Sequence, residues 1–337
     1  MRFGKIDSYI LFGGGQVLAD VSLKLKKMAQ PVVVFSDDRH LAETGYADGL
    51  TLENFLKQQG IEYYNSANIG KDKNVDKFIT ASVLGISFGA AWIFKQEFID
   101  KFNGRLINFH PTNLPKNRGG GGFSWMILNS ENQGRNLLHF IDAGIDTGDI
   151  IKQKNYALTD DLRLPKDYYV YSERLHSLFF DEFLAEVAAN NDFTLLKQDE
   201  KVSSYYPRIS TLKNGLINWS MTGQQIALFI SAFDDPYPGA STFLGDKKVI
   251  LKDCQLLPAE ENYHPFTSGL VIRKDATGLF VASTGRLLLI KRVMDENNQE
   301  ITNQIQLGER FYTPSTELDK AMSFRAIYNA KGLKNEI

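Results

Sequence analysis

The chain has 337 residues, 43% hydrophobic and 23% charged, an ordinary globular composition at a length that suggests about two domains. Its net charge of −2 and pI near 6.2 argue against DNA as a partner and make tRNA an unexpected one, because proteins that neutralise phosphates usually carry a basic balance. One cysteine, Cys254, excludes an intramolecular disulfide. The N-terminal MRFGKIDSYILFGGG reaches glycine before a signal-peptide core can form, and no run approaches the ~18 apolar residues of a membrane span, so a cytoplasmic setting without a membrane partner is expected.

Short apolar runs then alternate with helical patterns. SYILF at 8–12 ends in three glycines, and an amphipathic stretch follows over 17–28, its KLKKM reading as a solvated helix face. PVVVF at 31–35 is almost continuously apolar and β-branched, as suits a strand buried on both faces. A helical pattern over 52–59 leads to IEYY, then to ITASVLGISFG at 79–89, a helix over 97–102, and RLINFHP. This rhythm predicts a parallel sheet with right-handed crossovers, an α/β Rossmann-like domain over residues 1–190. Its last helix is expected over 169–189, where Leu175, Leu178, Phe179, Phe183 and Val187 recur at helical spacing. Residues 191–215 are polar and read as a linker. Beyond Leu244 the short runs KVILKDCQLL, SGLVIRK, TGLFVAST and GRLLLIKRV are punctuated by Gly269, Gly278 and Gly285. They predict a small antiparallel barrel or sandwich within a second domain over 216–320, ahead of a tail over 321–337.

Two glycine runs invite over-reading. GGG at 13–15 stands between strand and helix, where a phosphate can bind, yet it fits neither G-x-G-x-x-G nor G-x-x-x-x-G-K-[ST]. The plainer reading is a tight turn needing positive φ and room. GGGG at 119–122 reads either as a loop under a substrate or as a flexible helix entry.

The chemistry concentrates in 106–150. Asn108 and His110 lie two apart at the end of an apolar strand, so their side chains share a face. Pro111 and Pro115 force an irregular loop after them, at the strand end where open α/β sheets bind ligands. A second apolar segment, 137–141, leads into DAGIDTGD at 142–149, expected at an adjacent strand end. An amide, an imidazole and a carboxylate so placed suit acyl transfer to an amine. The histidine accepts the amine proton, the asparagine N–H and protonated histidine steady the oxyanion, and the carboxylate orients the ring. No metal is part of this expected site.

N-x-H-P-T-x-L-P at 108–115, R-G at 118–119 and G-I-D-T-G-D at 144–149 together resemble the signature of the 10-formyltetrahydrofolate-dependent formyltransferases. That superfamily includes glycinamide ribonucleotide transformylase, methionyl-tRNA formyltransferase and the sugar-nucleotide N-formyltransferases. INW at 217–219, FDDPYPGA at 233–240 and GERFYTP at 308–314 extend the resemblance more weakly. It implies an OB-like β-barrel for the second domain, a homodimer, N10-formyltetrahydrofolate as donor, and Asn108, His110 and Asp146 as catalytic residues. The implied donor site comprises Trp92, Ile93 and Phe94; Thr112, Asn113, Leu114 and Pro115; and Asp142, Ala143, Gly144 and Ile145, partly through backbone. Asn113 and Ser231 depart from the residues common in the family, a leucine and an arginine.

The acceptor favoured is the amine of a nucleotide-linked amino-deoxysugar (dTDP-, UDP- or GDP-linked), a product for surface polysaccharide or glycan biosynthesis. A second domain argues against glycinamide ribonucleotide. SDDRHLAETGYADG, after PVVVF, lacks the long basic insertion that methionyl-tRNA formyltransferases use, and LFGGGQVLAD departs from their opening motif. Gly120, Tyr205, Tyr206 and Trp219 are the expected acceptor contacts, with Arg208 or Lys213 near a pyrophosphate. The alternatives are methionyl-tRNA formyltransferase and a formyltetrahydrofolate hydrolase-like relative, which would keep the same three residues.

Overall fold

Successive side chains of a strand point to opposite faces, and in this chain both faces of the first sheet are apolar. The computed structural model describes residues 1–46, 49–120, 122–258, 262–329 and 332–334. In order these run β1 (Ser8–Gly13), α1 (Gln16–Lys27), β2 (Val32–Ser36), α2 (Asp38–Ala42), β3 (Thr44–Tyr46), β4 (Leu50–Thr51), α3 (Leu52–Gln58), β5 (Glu62–Asn65), β6 (Val83–Phe88) and α4 (Gln96–Asp100). There follow β7 (Leu106–Phe109), β8 (Arg118–Gly119), α5 (Phe123–Leu128), β9 (Gln133–Phe140), β10 (Ile150–Ala157) and α6 (Pro165–Ala188). The main sheet has the order β10-β9-β7-β6-β1-β2-β5; five strands are parallel, and β9 and β10 run antiparallel at one edge.

Alternation sorts the core into two layers. Tyr9 and Leu11 join Leu18 and Leu25 of α1 and Phe179, Phe180 and Phe183 of α6 on one face. Ile10 and Phe12 join Trp92, Phe94, Phe98 and Phe102 on the other. The buried stripe of α6 falls on Ser172, His176, Phe179, Phe180, Phe183 and Val187. Leu178, expected in that stripe, is 47% exposed. It is one residue before Phe179, about 100° round the helix. The turn after β1 has the positive φ its glycines predict, 108° at Gly13 and 88° at Gly15, and a Cβ on Gly14 would lie 2.6 Å from the His40 side chain.

The second half contains β11 (Tyr205–Tyr206), α7 (Thr211–Asn214), α8 (Gly223–Phe233), β12 (Ala240–Leu244), β13 (Lys247–Leu256), β14 (Val271–Asp275), β15 (Gly278–Ser283), β16 (Arg286–Met294), β17 (Phe311–Tyr312), α9 (Ser315–Ser323), β18 (Ile327–Asn329) and β19 (Gly332–Lys334). An antiparallel sheet of order β14-β15-β16-β13-β12-β17 curls into a smaller barrel-like domain. Helix α8 fills its open side with Ile226, Ile230 and Phe233, and a Thr222–Gln225 capping box starts that helix. Among the described residues, no helix is long and apolar enough to cross a membrane.

Two measurements check this packing. Phe180 is fully buried, with its ring centroid 5.0 Å from Phe109 and 5.3 Å from Phe88. Phe180→Ala should lower the unfolding free energy in urea by about 3–5 kcal/mol, and a loss under about 1 kcal/mol would contradict the seating of α6. His176 Nδ1 lies 2.6 Å from Asn136 Oδ1, and burial pushes its pKa down from 6.5 to about 4. The unfolded chain therefore binds a proton there between those two values that the folded chain does not, so stability falls as pH drops through that window. His176→Asn should flatten the slope of stability with pH over the same range; an unchanged slope would assign the proton uptake elsewhere.

Candidate active site

Asn108, His110 and His139 share one face of two paired strands. Asn108 stands directly opposite His139 in the β7–β9 register, and His110 follows two residues after Asn108. Asp146 follows the end of the adjacent strand β9, as expected, but that end lies at the opposite edge of the pairing from His110. Because β9 is antiparallel, its C-terminal end lies beside Ile107, near the start of β7, and residues 141–149 fold back to bring Asp146 over the cluster. Asp142 holds that fold: its carboxylate accepts from Gly144 N at 3.1 Å and Thr147 Oγ1 at 2.5 Å, while Phe140 N donates to Asp149 O at 3.0 Å. Asp146 itself has a φ of 54°, a left-handed conformation that costs a non-glycine residue roughly 1 kcal/mol or more.

The Asp146 carboxylate is the hub. Its Oδ2 accepts from Gly119 N at 2.8 Å and lies 3.8 Å from His110 Nδ1; its Oδ1 is 3.3 Å from Asn108 Nδ2 and 3.4 Å from His139 Nε2. Burial alone would push this carboxyl upward. The Gly119 amide, and the charge of His110 and the hydrogen bond and charge of His139 whenever those rings carry a second proton, outweigh burial and hold it well below the usual carboxylate range. It is therefore ionised throughout the neutral range.

Hydrogen-bond partners set the imidazole tautomers. A backbone carbonyl only accepts, so His110 Nε2, 2.8 Å from Asn117 O, carries a hydrogen, and Nδ1 is the nitrogen free to gain and lose one. A proton taken at Nδ1 faces Asp146. His139 Nδ1 likewise donates to Phe140 O at 2.7 Å, so in the neutral ring Nε2 accepts from Asn108 Nδ2 at 3.2 Å, and a second proton on Nε2 would point at Asp146 Oδ1. The arrangement can accept a proton from a nucleophile, keep the resulting cation beside a fixed anion, and offer an amide N–H to a developing oxyanion.

Gly119 earns its place twice. Its φ is 85°, and a Cβ there would lie 2.4 Å from the Tyr205 ring and 2.6 Å from Tyr206 O. The cause is β11, which pairs in parallel with β8 and brings 205–208 onto this loop. Gly120 N donates to Tyr206 O at 2.7 Å, and a Cβ on Gly120 would lie 2.5 Å from Arg208 backbone. The space at Gly119 and Gly120 is thus filled by the chain itself rather than left for a bulky ligand; Gly121 lies outside the described residues.

The other expected contacts divide. Trp92 and Phe94 are buried in the core beneath the sheet, leaving Ile93, 37% exposed, to face outward from that segment. Thr112 and Leu114 are buried, Thr112 Oγ1 donating to Asn117 O at 3.1 Å and Leu114 packing with Leu137 and Ile150; Asn113 and Pro115 are half-buried. Ala143, Gly144 and Ile145 form an exposed rim beside half-buried Asp142. Ile141, at the root of that rim, packs on the same core as Trp92 and Phe94, so the two segments are neighbours. Tyr205 is exposed, with the Arg325 guanidinium 5.6 Å above its ring, and the Tyr206 ring lies 4.8 Å from Trp125. Arg208 acts electrostatically on Tyr169 of α6, and Lys213 lies in α7. Trp219 is a correction: its Nε1 donates to Thr242 Oγ1 at 2.9 Å and its ring stacks on Phe311 at 5.9 Å, so it is core of the second domain and unavailable for a base.

Sequence reasoning missed His139, Asn117 and Gln198. His139 sits inside the apolar run LLHFI, and only strand pairing reveals that it faces Asn108. Asn117 acts through a backbone carbonyl, which no side-chain pattern advertises. Gln198 Nε2 donates to Asp146 O at 2.8 Å and Gly148 O at 2.7 Å from within the supposed linker.

Comparison with known proteins bears on this arrangement. Residues 8–166 match the family described as formyl transferase, and residues 210–306 match the formyl transferase C-terminal domain. The chain is 26% identical over 219 residues to the methionyl-tRNA formyltransferase of Clostridium perfringens strain SM101, covering 65% of this chain and 68% of that one. Against the Geobacter sulfurreducens methionyl-tRNA formyltransferase it is 28% identical over 244 residues, 72% and 73% of the two chains. In fold it is similar to WlaRD, a sugar 3N-formyl transferase solved with dTDP and 5-N-formyl-THF, at TM-score 0.64 and 22% identity over 86% of this chain and 98% of that one. A Helicobacter canadensis N-formyltransferase solved with folinic acid and dTDP-3-aminofucose gives TM-score 0.62 and 20% identity over 85% and 99%. Since the two family models between them take in both halves of the chain, the polar cluster around Asp146 and the barrel-like domain alike, the chain belongs to the formyl transferase family and is a formyltransferase.

Proposed function

We propose that the chain moves the formyl group of N10-formyltetrahydrofolate to the primary amine of a nucleotide-linked amino-deoxysugar, with Asn108, His110 and Asp146 as its catalytic residues. The observation that carries the chemistry is the placement of His110: Nε2 fixed on Asn117 O, Nδ1 free, and an ionised carboxylate 3.8 Å away. The donor supplies a formyl group on an amide nitrogen, already activated, so no enzyme-bound acyl intermediate is required. The exposed Ile93 and the 143–145 rim, next to the polar cluster, fit an aromatic ring flanked by backbone groups.

His110 Nδ1 takes the proton of the attacking amine as the new C–N bond forms. Asn108 Nδ2 then donates to the oxyanion; its contact to Asp146 at 3.3 Å is long for N–H···O and is the one it gives up. Asp146 steadies the imidazolium until its proton passes to the departing folate nitrogen as that C–N bond breaks. The balance is an N-formylated sugar amine and tetrahydrofolate.

Two features support the sugar-nucleotide acceptor. The likeness to the sugar formyltransferases extends over nearly the whole of those chains, one solved with dTDP and the other with dTDP-3-aminofucose. The described part of the segment after β2 carries Asp37, Asp38 and Glu43 against Arg39 alone, a poor surface for tRNA phosphates. It is also tied down, with the Tyr46 hydroxyl accepting from Gly15 N at 3.1 Å. The sequence relatives favour a second reading, transfer to methionyl-tRNA.

His110→Ala and Asp146→Asn should each slow turnover about a hundredfold or more with the fold intact by circular dichroism; a near-normal rate in either removes that residue from the mechanism. For the acceptor, the enzyme and N10-formyltetrahydrofolate should be mixed with dTDP-, UDP- and GDP-linked amino sugars and with charged initiator tRNA, and the products weighed. A formyl mass gain on one sugar establishes the reading. Gain on tRNA alone promotes the second, and free formate with no formylated product assigns the site to hydrolysis.

A further inference from the structure

Gln198 belongs to neither sheet, yet its amide makes four hydrogen bonds, all into the active site's support. Nε2 donates to Asp146 O at 2.8 Å and Gly148 O at 2.7 Å. Oε1 accepts from Arg118 Nε at 3.1 Å and Arg118 Nη2 at 2.9 Å. A primary amide has two N–H donors and two acceptor lone pairs, and here each is used.

The two partners are the two loops that shape the carboxylate. One is the Asp146 loop, whose left-handed backbone persists only where its surroundings over-determine it. The other is β8, whose Gly119 N donates to Asp146 Oδ2. Gln198 thus joins the backbone on one side of the carboxylate to the strand that binds it on the other. The neighbouring chain reinforces the bracket: Ser204 N donates to Pro115 O at 3.1 Å, Arg118 N to Ser204 O at 3.0 Å, and Glu200 pairs with the Arg118 guanidinium.

We propose that Gln198, between the two domains, is a positioning residue of the formyl-transfer reaction, setting the Asp146 carboxylate against His110. The proposal rests on the reading of Asp146 as catalytic. Small displacements matter because a proton acceptor and its counter-charge lose rate steeply when geometry slips by about 1 Å. Gln198 touches neither substrate nor donor in this scheme; it works through Asp146 alone.

The test uses the full-length enzyme with N10-formyltetrahydrofolate, following folate product at saturating acceptor, or under single turnover with excess enzyme for slow variants. Gln198→Met keeps the volume and removes all four bonds. Gln198→Glu keeps the acceptors facing Arg118 and removes the donors to Asp146 O and Gly148 O. Both should lower kcat about tenfold or more, leave the KM for donor within about twofold, and melt near the parent temperature. In an Asp146→Asn background, Gln198→Met should change the rate less than about twofold, because its route is already cut.

A parent-like kcat in either single variant overturns the proposal, as does a full additive loss on top of Asp146→Asn. A merely structural role would show as a lower melting temperature with kcat retained in the folded fraction, which also overturns it. Should Gln198→Met fail to fold, Gln198→Glu decides alone. The two readings separate cleanly: a fast Asp146→Asn enzyme sinks both, whereas a slow Asp146→Asn with a fast Gln198→Met sinks only this one.

Discussion

An ionised carboxylate buried between two imidazoles and a backbone amide is the constraint around which this molecule is organised. Burying a charge without partners is costly enough that the group would take up a proton instead. Asp146 avoids this because four groups converge on it: Gly119 N–H, His110, His139 and Asn108. They come from three separate strands: Asn108 and His110 from the end of β7, His139 from β9 and Gly119 from β8. The sheet has to align β7 with β9, the 141–149 loop has to fold back, and β8 has to be held in place before the carboxylate is tolerated at all.

The scaffold meets these demands by ordinary means. Apolar side chains alternate on both faces of the parallel strands, so helices seal each side and leave only the strand ends for polar groups. Phe109 shows the division of labour most directly. It lies between Asn108 and His110 in sequence, points to the opposite face, and packs there on Phe179, Phe180 and His176 of α6. The buried ring anchors the strand from below, and its two neighbours are thereby held above it.

Most of the first domain was legible because it obeys strong periodicities. The strands at Ser8–Gly13 and Val32–Ser36 and the helices at Gln16–Lys27 and Leu52–Gln58 fall within a residue or two of expectation. Asn108 and His110 were legible as a pair because a spacing of two fixes a common face. What stayed hidden depends on contacts distant in sequence. The antiparallel direction of β9 cannot be read from LLHFI, and with it went His139 and the true route of the Asp146 loop. Trp219 misled because an aromatic in a polar stretch looks exposed, whereas Phe311 and Thr242, far along the chain, enclose it. Helix α8 was missed although Ile226, Ile230 and Phe233 recur at helical spacing, because the short, mostly apolar run IALFISAF reads equally well as a buried strand.

The pairing of Arg118–Gly119 with Tyr205–Tyr206 has a consequence for how the molecule comes into being. During synthesis the parallel sheet and α6 can close on themselves once residues up to about 196 have emerged, since Phe193 and Leu195 complete their core against Phe3 and Phe183 and need nothing later in the chain. The carboxylate's surroundings cannot. Gln198 reaches back 52 residues to Asp146 and 80 to Arg118, so the nascent first domain holds a finished core beside an unfinished polar site. The surroundings of Asp146 are thus completed later than the fold beneath them, as the strand between the domains docks.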